Sequence, residues 1–359
     1  MIGERTAGLQ AIEQFYTDLE TNYLQGLWRV VTQTPEPRTA AVPHVWPGRM
    51  LREQLERAGE LMTMDRSAER RVLLLVNPGL QAINAATHTL TAAVQMIKPG
   101  EIAPTHRHTP TAIRFIIDGD GAYTTVDGEK LIMHPGDLIL TPNWTWHDHG
   151  NETDRPIIWM DGLDRPLVAS LNAIFFEPYA DDRQAVVLPA DHSARKYAGG
   201  HVRPAWERRA PVFSPQHAYR FEDTYRALAQ MAAVGEVSPY DDAMVEYVNP
   251  LTGGHALPTL GCALQLLRPG VHTRAHRHTS SSVYLVFRGR GYSVINGKRY
   301  DWEQGDLFAL PTWAWHEHVN TSPNEEAILF SINDLPTMEA LALYREQAYE
   351  GAGGHQPVA

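Results

Sequence analysis

Apolar and polar residues alternate with a period of two along two separate stretches of the chain, IRFIIDGDGAYTTVDGEKLIM at 113–133 and VYLVFRGRGYSVINGKRYDW at 283–302. Such alternation predicts half-buried strands, and Asp127-Gly128 and Asn296-Gly297 sit where hairpin turns would join them. The flanking blocks also recur. Residues 95–108 read QMIKPGEIAPTHRH and 265–278 read QLLRPGVHTRAHRH, while 136–151 read GDLILTPNWTWHDHGN and 305–320 read GDLFALPTWAWHEHVN. The exits correspond as well, MDGLDRPL at 160–167 against SINDLPTM at 331–338. Four blocks in register mean that one short-strand unit is present twice. Units of this kind close their edges as a small barrel or jelly roll.

A different period rules the periphery. Leu9, Ile12, Tyr16, Leu19 and Tyr23 recur at helical spacing, and a second such segment runs from about Met50 to Leu61. A third helix is expected after Pro336, from Met338 to about Tyr349, before the polar tail GAGGHQPVA. The expected organisation is a helical segment at 1–65, a first barrel at 66–180, a linker at 181–240, a second barrel at 241–335, and a C-terminal helix with tail at 336–359. These helices are expected to pack on the barrels or on another subunit.

With 359 residues, 43% hydrophobic, the chain can build two cores, and 25 Pro with 27 Gly suit short strands and turns. A net charge of −11 without a long basic block argues against nucleic acid as a partner. Cys262 is the one cysteine, so no intrachain disulfide forms, which fits a reducing cytoplasm. The N-terminus MIGERTAGLQAIEQF carries charges where a secretory signal needs an apolar run, and no stretch reaches the length of a membrane span.

Candidate chemistry lies in the histidines. His106 and His108 are two apart on an expected strand and so share a face, and His147 follows after the Pro142 turn. The spacing Gly100-x5-His106-x-His108, then Gly136-x5-Pro142-x-Trp144-x2-His147-x3-Asn151, resembles the two-part cupin motif. Many cupins add a glutamate ligand after the HxH pair; here that position is Ala112. Three neutral imidazoles would leave a divalent ion its full charge and about three of six octahedral positions open. That suits an anionic substrate binding through two oxygens, with one position left for dioxygen. Imidazole also suits zinc, nickel and copper, so the spacing alone does not select the metal.

The second copy repeats the pattern as His276, His278 and His316, a possible second metal site. Its surroundings differ. Arg114 in the first copy aligns with Tyr284, and Asp161 with the region Phe330-Ser331. If the substrate is a carboxylate, the first barrel is the working one, and the second is structural, vestigial or a weaker metal site.

The segments HRHTPTAIRFIIDGDGAYTTVDGE, GDLILTPNWTWHDHGN and WMDGLD, with AVPHVW and ERRVLLLVNPGL upstream, resemble the gentisate 1,2-dioxygenase family, whose near relatives cleave salicylate and 1-hydroxy-2-naphthoate. The likeness runs from about Val42 to the helix after Pro336. It implies an all-β bicupin core of two double-stranded β-helix (jelly-roll) barrels with peripheral helices at both termini, Fe(II), dioxygen as co-substrate and a homotetramer. By the same resemblance His106, His108 and His147 are iron ligands, and His149 is an acid/base or oxygen-positioning histidine with Asp161 near it. Arg114 holds the substrate carboxylate, while Arg70 and Gln95 line the ring pocket. Ala93, two residues before Gln95, is a candidate for trimming that pocket.

Simpler roles remain open for several of these. Arg70 would serve equally in a surface ion pair, Asp161 as a turn cap, and Gln95, repeated as Gln265, as a structural residue. Trp144, Trp146, Trp313 and Trp315 recur in both copies, which favours barrel packing over substrate contact. The implied reaction is extradiol-type ring cleavage of gentisate by dioxygen to maleylpyruvate. Salicylate or 1-hydroxy-2-naphthoate cleavage is the alternative within the class. A non-catalytic bicupin that binds a small molecule, or a metal-dependent isomerase, is the alternative outside it.

Overall fold

Both predicted hairpin turns form with two successive left-handed residues. Asp127 and Gly128 have φ of 43° and 80°, Asn296 and Gly297 of 49° and 77°. That is the backbone twist a two-residue hairpin needs, and Asx-Gly supplies it at low cost. They join Tyr123–Val126 to Glu129–Ile132 and Arg290–Ile295 to Lys298–Glu303.

The computed structural model describes residues 2–30, 34–62, 71–200, 202–207 and 212–358. It divides into a unit of residues 1–38 and a unit of residues 39–359. The first unit holds the helix Ile2–Thr21 and the short turn Leu27–Arg29, where Trp28 donates its indole N–H to the Tyr16 hydroxyl (3.2 Å). The expected apolar stripe is only partly covered here: Tyr16 and Leu19 are half-buried, whereas Leu9, Ile12 and Tyr23 are exposed. No helix among the described residues is long and apolar enough to cross a membrane.

The second unit contains the two barrels, each made of a six-stranded and a five-stranded antiparallel sheet. In the first barrel the larger sheet runs Ala218–Tyr219, Leu138–Thr141, Ala112–Asp118, Ile157–Leu163, Thr91–Ile97, Val72–Leu74. The smaller runs Phe176–Pro178, Ile102–His108, His147–Gly150, Tyr123–Val126, Glu129–Ile132. The second barrel repeats this order. Its larger sheet is His44–Trp46, Leu307–Leu310, Ser282–Arg288, Ala327–Asn333, Gly261–Leu267, Ala243–Glu246, and its smaller one is Lys298–Glu303, Arg290–Ile295, His316–Asn320, His276–His278, Glu346–Ala348.

Strand alternation divides the side chains between two environments. Ile113 and Phe115 enter a core that joins the two larger sheets, where Phe115 stacks on Phe330 with ring centroids 4.0 Å apart. Arg114 and Ile116 point the other way, and Ile116 joins an interior cluster with Leu131 and Trp159. The barrels also exchange strands. His44–Trp46 precedes the first barrel yet extends a sheet of the second, and Ala218–Tyr219, from the expected linker, extends a sheet of the first.

The helix Gly48–Leu61 buries Leu51, Leu55 and Gly59, a stripe at four-residue intervals. The C-terminal helix differs from expectation. It spans Leu335–Ala340 and stops where Ala342 turns left-handed (φ 57°) and Leu343 N–H reaches back to the Met338 carbonyl (2.7 Å). The chain then forms the strand Glu346–Ala348 along His276–His278. In the first copy Arg165–Ser170 is followed in the same way by Phe176–Pro178 along His106–His108. Pairing with an exposed strand edge outweighs the helical apolar spacing of this segment.

Candidate metal centre

His106 and His108 lie on the strand Ile102–His108, and His147 opens the adjacent strand directly across from His106. The ring centroids of His106 and His147 are 4.1 Å apart, those of His108 and His147 4.9 Å, and those of His106 and His108 5.3 Å. One ring nitrogen from each lies within 4.8 Å of the others.

The backbone presets which nitrogen faces inward. Nδ1 of His106 donates to the Pro104 carbonyl (3.1 Å), that of His108 to Pro110 (2.7 Å) and that of His147 to Thr145 (3.0 Å). With its proton held at Nδ1, each imidazole presents an Nε2 lone pair. The Nε2 atom of His147 is buried and has no hydrogen-bond partner among the described residues, a placement that a metal ion would satisfy. Burial first, then the His106 imidazole and the Arg114 guanidinium, hold the His147 pKa well below the usual histidine value. The ring is therefore neutral, as a ligand must be.

A clamp outside the barrel fixes the turn that carries His147. The Arg107 guanidinium, between the two histidines in sequence but on the opposite strand face, stacks over Trp144 (4.5 Å) and Trp146 (4.4 Å). Trp144 N–H also bonds the His108 carbonyl (2.9 Å). Arg277 repeats the stack on Trp313 and Trp315, both at 4.4 Å. These tryptophans thus pack against an arginine rather than filling the barrel interior.

Around the trio stand the other candidates. Arg114 is buried, lies across the strand pair from Asp161, places Nε 3.4 Å from its carboxylate and donates to the Thr141 hydroxyl. Burial lowers the guanidinium pKa from its usual value and the Asp161 charge opposes that shift. Asp161 also accepts the Trp159 indole N–H (2.9 Å), and Trp159 packs against His149 with centroids 5.3 Å apart. His149 is held through Nδ1 by the Thr124 hydroxyl (2.8 Å). Asp161 is thus part of a buried polar chain, within the strand Ile157–Leu163.

Gln95 and Ala93 are buried on the strand Thr91–Ile97, with Ala93 directly opposite Asp161. Gln95 Nε2 has no hydrogen-bond partner among the described residues, whereas the equivalent Gln265 donates its amide to the Asp241 carbonyl (2.7 Å). Arg70 lies outside the described residues. Ala112, in the position where many cupins carry glutamate, is buried and leaves the trio without an acid there. Thr91, Thr124, Thr141 and Trp159 escaped sequence reasoning. The buried Thr91 hydroxyl, two residues before Ala93 on the same strand and without a hydrogen-bond partner among the described residues, carried no motif to mark it.

The second trio is built alike. The His276 and His316 rings are 4.2 Å apart and those of His278 and His316 4.9 Å, with Nδ1 of His278 and His316 bonded to the Ser280 (2.8 Å) and Ala314 (3.0 Å) carbonyls. Burial brings the His276 pKa down to about 3. Its surroundings lack the Arg114–Asp161 pair of the first. Tyr284 replaces Arg114 and stacks on Phe308 (4.8 Å), Ser331 replaces Asp161, and Leu310 and Leu329 take the places of Thr141 and Trp159.

Both barrels match the family described as "Cupin domain", at residues 93–163 and 263–333. The chain is 43% identical to a 5-aminosalicylate 1,2-dioxygenase of Comamonas sp, covering 97% of this chain and 95% of that relative. It is 39% identical to gentisate 1,2 dioxygenase 1 of Aquipseudomonas alcaligenes, covering 96% and 98%. Its structure is similar to that of salicylate 1,2-dioxygenase from Pseudoaminobacter salicylatoxidans in its adducts with gentisate, with a TM-score of 0.89, 36% identity and coverage of 95% and 94%.

Proposed function

This chain belongs to the gentisate 1,2-dioxygenase family of ring-cleaving dioxygenases, and from that premise we propose that it opens gentisate with dioxygen to maleylpyruvate at an Fe(II) ion held by His106, His108 and His147. The observation that carries this reading is the Arg114 guanidinium, buried beside one imidazole trio and replaced by Tyr284 beside the other.

Bound by the trio, Fe(II) supplies Lewis acidity toward a carboxylate and its neighbouring phenol, together with the one-electron chemistry that dioxygen requires. The protein's own groups supply orientation and proton control. Arg114 takes the substrate carboxylate through charge-assisted hydrogen bonds, with Thr141 and Asp161 holding the guanidinium in place. The Gln95 amide nitrogen and the Thr91 hydroxyl, without hydrogen-bond partners among the described residues, face the ring as further donors. The Ala93 methyl leaves room for the ring, and Arg70 keeps the ring-pocket role that the family resemblance implies. His149, held by Thr124, accepts or donates the proton of the hydroxyl para to the reacting one, and Asp161 tunes that group. The second trio, closed in by Tyr284 and Phe308, holds a metal only in a structural capacity.

A second reading has an observation of its own. The 43% identity to a 5-aminosalicylate dioxygenase supports an amino group in place of the para hydroxyl, on the same carboxylate–hydroxyl skeleton. The working enzyme is proposed as a cytoplasmic homotetramer. Exposed Leu9, Ile12 and Phe15 support assembly, and a single free, buried cysteine, Cys262, supports a reducing compartment.

An oxygen electrode tests the proposal. Protein reconstituted anaerobically with Fe(II) is offered gentisate, 5-aminosalicylate, salicylate and 1-hydroxy-2-naphthoate in turn. One dioxygen consumed per gentisate, with the highest kcat/KM of the four, is expected. Preference for another acid would overturn the substrate assignment, and no uptake with any would overturn the reaction.

A further inference from the structure

A third cluster of metal-binding side chains lies on the second barrel, apart from both trios. Glu317 sits between His316 and His318 in the strand His316–Asn320, so its carboxylate points away from the interior those histidines face. His272 Nε2 stands 3.2 Å from Glu317 Oε2, and His355 Nδ1 stands 2.9 Å from the same oxygen. The two rings are 4.1 Å apart between centroids. The other carboxylate oxygen accepts Gln356 N–H (2.9 Å), and the Glu317 side chain is 1% exposed against 39% and 35% for the two histidines.

We propose that His272, Glu317 and His355 form a further binding site for a divalent first-row transition metal of the zinc or nickel class, which pins the C-terminal tail to the second barrel. The spacing fits. Metal bonds of about 2.1 Å to nitrogen and oxygen, set at octahedral to tetrahedral angles, put neighbouring donors about 3.0 to 3.4 Å apart. The two nitrogen–oxygen edges here are 2.9 and 3.2 Å, and all three donors lie within 4.8 Å of one another. Two imidazoles with one carboxylate select such ions over calcium or magnesium, which prefer oxygen alone.

Each neutral imidazole donates one N–H to Glu317. Metal entry moves those protons to His272 Nδ1 and His355 Nε2, on half-exposed rings that turn from the carboxylate oxygen toward the ion, with no net release. The donors come from distant parts of the chain: the loop before His276, the barrel strand, and the tail. Around them the tail is already seated, since Gln356 bonds Gly297 N–H and the Val294 carbonyl, both at 2.9 Å, and the Gly354 carbonyl accepts Ala275 N–H (2.7 Å). A metal there adds a crosslink between residues 272 and 355 and stabilises the docked tail over the free one.

Zinc titration of the full-length, iron-loaded protein tests this. Bound zinc and iron per chain are measured by mass spectrometry after dialysis against Zn2+, for the wild type, His272→Ala/His355→Ala and Glu317→Gln. Both variants are expected to bind one zinc per chain fewer than the wild type while retaining its iron. Zinc should also protect the wild-type tail, but not the variants' tails, from carboxypeptidase. A wild-type zinc count in either variant overturns the proposal. Should the double variant fold poorly, judged by lost iron and circular dichroism, His355→Ala alone carries the same expectation, because its side chain lies in the tail.

Discussion

Arg114 and Asp161 face each other across neighbouring antiparallel strands, with Nε of the arginine 3.4 Å from the carboxylate, and both side chains are buried beside the first imidazole trio. A buried charge pair of this kind gives modest net stability. The guanidinium fork is held in a fixed place, where its charge adds to burial and the His106 imidazole in lowering the His147 pKa.

Truncation of that fork should show in substrate binding. Arg114→Ala is expected to raise KM for gentisate and lower kcat/KM about 30-fold or more, since losing one partner of a buried charged contact costs about 2–5 kcal/mol. Arg114→Lys should fall between, because an ammonium cannot pair with both oxygens in a plane. Bound iron should stay at wild-type stoichiometry; iron loss in Arg114→Ala would contradict the role assigned to the guanidinium.

The second trio can be removed separately. His276→Ala/His278→Ala is expected to retain most of the turnover in the oxygen assay, because Tyr284, stacked on Phe308, stands where the first barrel has Arg114. Lost activity in a folded double variant would assign catalysis to the second barrel or to both.

Chelation should silence the enzyme reversibly. Removing metal with a ferrous chelator is expected to abolish oxygen uptake, and anaerobic Fe(II) should restore it. His147→Ala should not be restorable, because it removes the buried Nε2 that has no hydrogen-bond partner among the described residues. Recovery of His147→Ala to wild-type turnover would sink the ligand assignment.

Gly150 follows His149 in its strand, and a Cβ there would collide with the Tyr123 ring. Gly150→Ala is expected to cost about 1–3 kcal/mol, as overpacking does, and to lower Tm. An unchanged Tm would mean that the Tyr123 ring moves aside freely.

Asp164 predicts a pH dependence. Burial raises its carboxyl pKa to about 6, against its acceptance of the Thr259 hydroxyl (2.6 Å) and Thr111 N–H (2.8 Å). A folded-state pKa above the unfolded value of about 4 means that ionisation costs the folded state more. Below pH 4 both states are protonated and the cost is absent. It grows from pH 4 to 6 and is complete above, reaching about 3 kcal/mol at most. Urea denaturation should therefore show the wild type losing stability relative to Asp164→Asn across that window. A constant difference between the two proteins would refute the shifted carboxyl.

Residue order alone determined the repeat, the hairpins and the histidine sets, because each rests on local geometry. Alternation puts His106 and His108 on one strand face, and Asx-Gly accepts the left-handed turn wherever it occurs. Tertiary structure decided what lies far apart in sequence. Strand pairing set Arg114 across from Asp161, and His44–Trp46 crossed to the second barrel. Residues 346–348, helical by their spacing, became an edge strand beside His276–His278. Glu317, His272 and His355 met only because the tail returns to the barrel. Pairing and burial between distant segments depend on the whole folded chain, and no short motif encodes them.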